Sequence, residues 1–193
     1  MSSPVDPNDV MMTGENSFIR FSPDGGKTQT ERASHWRVLW CPAGAGHALF
    51  LKSSLTAGNV KIWSDNPPVA RWLQKEIESL LFPAFADATM PLAPASFARS
   101  GGIDSRAAEL VTAKDAEILL TWEDFLAPFV LNMPPGSANR PIGVFSTFFP
   151  ARAARIALNG KAAAGAPYAE KRGERESTSA CLAWSETWVR PRA

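Results

Sequence analysis

The chain is poor in the residues that most often announce a reaction. Among 193 residues there are two histidines, two cysteines and one tyrosine. No Cys-x-x-Cys, His-x-His or His-Glu-x-x-His spacing occurs, so the closely spaced metal centres are excluded and neither a metal nor a cofactor is expected. Cys41 and Cys181 are too few for a disulfide framework and read as two reduced thiols. Gly44-Ala45-Gly46 lacks the Gly-Lys-Ser/Thr that would make it a phosphate loop, and reads as a β-turn. Charge of one sign is also missing. Twenty Lys+Arg against nineteen Asp+Glu leave a formal charge of +1. Without a basic excess, a nucleic acid is not an expected partner. Apolar runs are short and broken by proline or charge, as in 125–134, so no helix is expected to span a bilayer and no membrane partner follows. The first sixteen residues lack a basic start and an apolar stretch, which argues against a secretory signal and for a cytoplasmic protein.

What is present is a core. Hydrophobic residues make up 45% of the chain, and a chain of this length buries roughly 70% of its unfolded surface. Residues 1–17 read as a flexible polar lead-in, and 18–193 as a single domain. Most segments alternate like strands: 17–21, 37–40, 47–52, 60–64, 117–122, 129–132, 143–149 and 180–189. Asn159-Gly160 is the strongest hairpin signal, because both residues tolerate the positive φ of a type I′ turn. Residues 165–178 are polar and read as an exposed loop. One segment has helical period: Val69, Trp72, Leu73, Ile77, Leu80 and Leu81 lie on one side. Asp65 or Asn66 can cap it, the prolines at 67 and 68 suit its first turn, and Pro83 stops it. The expected fold is α+β and β-rich: an antiparallel barrel or strongly bent sheet with one main amphipathic helix over 67–82.

Seven tryptophans and eleven phenylalanines suggest a wall for an apolar or aromatic small molecule. Strand parity sharpens this. Residues two apart share a face, so Leu182, Trp184, Glu186 and Trp188 fall together, as do Leu120, Trp122 and Asp124. An acid in an aromatic wall has a raised pKa, which suits proton transfer near neutral pH. The candidate catalytic residues are therefore Glu186, Asp124 and His47, with His47 or His35 at the mouth of a common pocket. Trp184, Trp188, Trp122 and Trp40 are the candidate ligand-binding residues. A Cys41–His47 pair oriented by Asp65 is a second arrangement, resting on adjacency across one turn. The bland alternatives are solvated acids, or acids paired with arginines such as Arg37 or Arg190.

The expected function is that of a small-molecule pocket protein, extending to metal-independent acid–base lyase, hydratase or isomerase chemistry. The alternatives are a ligand-binding protein without chemistry and a homo-oligomeric interaction module. The expected partners are a small-molecule ligand and a second copy of the chain, as a homodimer.

Overall fold

The structure, a computed structural model, describes residues 6–191. Nine strands close into a mixed barrel with one 15-residue helix against it. β1 (Val10–Phe21), β2 (Glu31–Trp40), β3 (Gly46–Lys52) and β4 (Val60–Ser64) form an antiparallel meander. Helix α1 (residues 67–81) then leads to β5 (Leu92–Gly101), which runs parallel to β4. β6 (Arg106–Ala113) and β7 (Ala116–Phe125) continue antiparallel. β8 (Phe129–Met133) is a flap paired to the first half of β9 (Gly143–Leu158). The second half of β9 pairs with β7 and closes the barrel. After the short β10 (Lys161–Ala162), β11 (Ala169–Arg172) and β12 (Arg175–Thr178) form a separate hairpin. β13 (Ala180–Val189) sits between β9 and β1.

Alternation along the strands builds two cores. Ile19, Ala33, Leu49, Trp63, Val111, Leu120, Trp122, Ile156 and Leu182 fill the barrel interior. Trp36, Ala48, Phe50 and Ile62 face outward from β2, β3 and β4, and α1 covers them with Val69, Ala70, Leu73 and Ile77. The helix begins on two prolines, which have no N–H to leave unsatisfied there. Its middle, Gln74–Glu78, widens to a π turn with Gln74, Ile77 and Glu78 all buried. The turn brings Glu78 under the helix, where its Oε1 accepts from Trp36 Nε1 (2.6 Å) and from Ser34 Oγ. Arg32 faces the same carboxyl, and burial raises the Glu78 pKa.

Several elements differ from the sequence reading. β1 starts at Val10, so residues 10–17 belong to a strand and not to a lead-in; residues 1–5 lie outside the described residues. The parallel β4–β5 pair makes the barrel mixed, because α1 returns the chain to the end from which β4 set out. β6 escaped notice because its inward positions are Ala107, Glu109, Val111 and Ala113, two alanines and an acid that weaken the strand pattern. Residues 165–178 contain the β11–β12 hairpin.

Candidate functional site

The site depends on one residue of β13. β1 pairs Gly14 with Glu186 but Phe18 with Cys181, and β9 pairs Trp184 with Thr147 but Thr187 with Phe145. Both neighbours count one extra residue on β13. That residue is Ser185, whose φ of 56° marks a β-bulge. A bulge shifts parity by one. Leu182 and Trp184 therefore face the barrel interior, while Glu186 and Trp188 turn to the outer face beside Cys181 and Ala183.

On that outer face Glu186 lines a cavity of about 120 Å³. β1 supplies Asn16, Phe18 and Arg20, β2 supplies Arg32, and Leu81 comes from the end of α1. Leu131 and Met133 of the β8 flap, with Val144 and Phe148 of β9, make the apolar wall. Arg140 and Arg172 complete the rim. Glu186 is 3% exposed and accepts from Trp188 Nε1 at 2.9 Å. Burial raises its pKa to about 8; the Trp188 bond and the nearby Ser146 hydroxyl and Asn16 backbone offset only part of that. The carboxyl is thus protonated at neutral pH, an O–H donor beneath the cavity.

The arginines are the feature that sequence reasoning missed. Arg20 and Arg172 share one acid, Glu170, at 2.8 and 3.0 Å. Among the described residues Arg140 has no ion-pair partner, and Arg32 has none at contact distance, although the buried Glu78 carboxyl attracts it. Arg32 lies over the Phe82 ring, 4.6 Å from its centroid. Burial lowers the pKa of both Arg32 and Arg140, and repulsion from Arg172 and Arg20 lowers Arg140 further. These four residues are scattered from 20 to 172, so only the fold shows their convergence.

The structure separates the other candidates. Asp124 does not share a pocket with Glu186. It has a positive φ, is mostly exposed, and meets Arg152 at 3.2 Å. Trp122 is buried inside the barrel and donates to the Phe18 carbonyl at 3.1 Å. Trp184 also faces inward, against Phe149 at 4.8 Å between ring centroids. A second bulge explains Trp40. Thr13 pairs with Trp40 and Gly14 with Val38, leaving Leu39 unpaired, and both Leu39 and Trp40 are exposed. Of the four tryptophans proposed as ligand-binding, only Trp188 lines the Glu186 cavity.

His47 lies on the inner side of the wall, at a polar end of the barrel. Asp65 grips it twice, accepting from the backbone N–H at 2.6 Å and meeting Nδ1 at 2.7 Å. The Cys41 thiol turns back to the Gly44 carbonyl at 3.2 Å, and burial raises its pKa. Both cysteines are free. No helix among the described residues is long and apolar enough to cross a membrane. No protein-family model, no curated protein and no solved structure matches the chain.

Proposed function

We propose that the protein binds a small organic anion with an apolar body in the cavity above Glu186. One observation carries this reading: four guanidinium groups surround a cavity whose only lining carboxyl is buried Glu186. Like charges held close repel one another, and four guanidinium groups that have only Glu170 and Glu78 to balance them leave a positive surplus that a bound anion would offset. Arginine also matches the planar, two-oxygen geometry of a carboxylate or phosphate. The apolar lining of Phe18, Phe148, Val144, Leu131 and Met133 suits an aromatic or branched body. The volume is near that of a cavity that admits benzene, roughly 150 Å³. Protonated Glu186 would donate to the ligand without adding negative charge.

The test compares benzoate with benzamide, which has the same shape and no charge. Benzoate should raise the melting temperature, and benzamide should not. A ligand at 100 times its Kd stabilises by about 2.7 kcal/mol. For a chain of this size that is a shift of roughly 5–10 °C. Arg140→Ala should remove most of the benzoate effect. Equal responses to the two compounds, or a benzoate effect that survives in Arg140→Ala, would overturn the reading.

A further inference from the structure

The polar end of the barrel interior is separate from the Glu186 cavity and has its own cavity, about 260 Å³, lined by Arg37, His47, Phe97, Arg99 and Glu109. Strand register assembles it. Arg37 pairs directly with His47 across β2 and β3, and Arg99 pairs with Glu109 across β5 and β6. Asp65 holds Nδ1 of His47 at 2.7 Å. That contact fixes Nδ1 as the protonated nitrogen and leaves Nε2 with its lone pair, the arrangement a general base needs. Among the described residues Nε2 has no hydrogen-bond partner. Phe97 stacks on the imidazole at 5.1 Å and restrains its plane.

Two further observations point to a guest. Arg99 spends Nε on Glu109 and Nη1 on Glu15, yet its buried Nη2 has no partner. His35, 1% exposed, lies behind His47 with neither ring nitrogen hydrogen-bonded, although its Nε2 faces the Glu109 carboxylate at 3.9 Å; its ring is 6.3 Å from that of His47. Buried polar atoms without partners are rare and need a water, an ion or a ligand to satisfy them. The charges also differ from those around Glu186. Three acids, Glu15, Asp65 and Glu109, accompany two arginines, so the cavity does not select an anion.

We propose that this cavity is an acid–base site for the addition of water to a small uncharged carbonyl compound, with His47 as the general base, Asp65 as its positioning residue and Arg99 as the donor to the oxyanion. For an ester, His47 Nε2 takes a proton from water while the water oxygen bonds to the carbonyl carbon. The electron pair displaced onto the carbonyl oxygen is held by the Arg99 guanidinium, which lines the cavity. The tetrahedral species then collapses, the bond to the leaving oxygen breaks, and the imidazolium returns the proton to that oxygen. The products are an acid and an alcohol, and no oxidant or reductant is consumed.

The probe is 4-nitrophenyl acetate with the full chain. Saturable hydrolysis is expected, at least 100-fold faster than with free imidazole at the same concentration. His47→Gln should return the rate to that of buffer alone. Asp65→Asn should lower kcat at least 10-fold with KM little changed. As a control on folding, the wild-type pH–rate profile should follow the His47 imidazole titration seen by NMR. Hydrolysis unchanged in His47→Gln, a profile that does not follow His47, or no turnover above free imidazole would overturn the proposal. Benzoate binding and ester turnover are read in separate assays, so failure of one leaves the other standing.

Discussion

Glu186 shows how burial converts an ordinary residue into a pH-dependent one. In the unfolded chain its carboxyl ionises near 4.5, but in the fold it holds its proton to about 8. Between those values the unfolded state releases a proton that the folded state keeps, so rising pH favours unfolding. The stability contributed by the neutral form is complete below about pH 4.5, declines to about pH 8 and is level above it. Each unit of separation is worth about 1.4 kcal/mol, so the full loss is about 5 kcal/mol. Glutamine keeps the acceptor for Trp188 and cannot ionise. Glu186→Gln should therefore match the wild type near pH 4.5 and exceed its stability by a few kcal/mol at pH 8. Urea denaturation at both values measures the difference. The comparison with the variant matters because buried His35, whose pKa is driven well below 6.5, acts in the opposite direction as the pH falls. A gap between the two proteins that shrinks from pH 4.5 to 8 would contradict the assignment.

At the scale of elements, Ser185 decides which side of β13 carries chemistry. A non-glycine residue in the left-handed region costs roughly 1 kcal/mol, and serine has no β-branch to worsen it. Ser185→Gly should relieve part of that and raise stability by about 0.5–1 kcal/mol in thermal or urea melts. Deleting Ser185 should restore simple one-to-one pairing, in which Glu186 follows Trp184 directly, keeps its outward face and still supports benzoate binding. A deletion variant that folds but no longer binds benzoate would show that Ser185 is not the surplus residue of the bulge. The same residue explains what the sequence could and could not reveal. Helix α1, the Asn159-Gly160 turn and most strands were legible, because 3.6-residue and 2-residue periods are local signals. Asn159 and Gly160 do adopt φ of 50° and 78°. The raised pKa expected of an acid among aromatic residues was legible too, and Glu186 has it. Its company was not. Ser185 and Leu39 bulge without a glycine to mark them, so parity put Trp184 on the face of Glu186, and nothing local marked Trp40 as exposed. The arginines of the cavity come from three strands and a loop, and no local pattern links them.

At the scale of the molecule, the barrel has one weak seam. β4 and β5 share three registered pairs, at Ile62, Trp63 and Ser64. β1 and β2 share nine, from Thr13 to Phe21. The β4–β5 pair is also parallel, a slightly weaker ladder per residue, and Pro94 donates nothing to it. Local opening should begin there. Native-state hydrogen exchange should be faster at Ile62–Ser64 and Leu92–Ala93 than at Ser17–Phe21. Protection at the seam equal to that of β1 would show that α1 clamps it more firmly than the ladder does.

The pairing of β1 with β13 places Val10 opposite Val189, and this has a consequence for how the chain is made. A ribosome adds about 5–20 residues per second. On the order of ten seconds or more therefore separates the synthesis of β1 from that of its β13 partner. Through that interval one edge of β1 has no strand beside it, and the cavity above Glu186 has no floor. The meander of β1 to β4 can gather under α1 while translation continues, but the barrel can close only after β13 has left the ribosome.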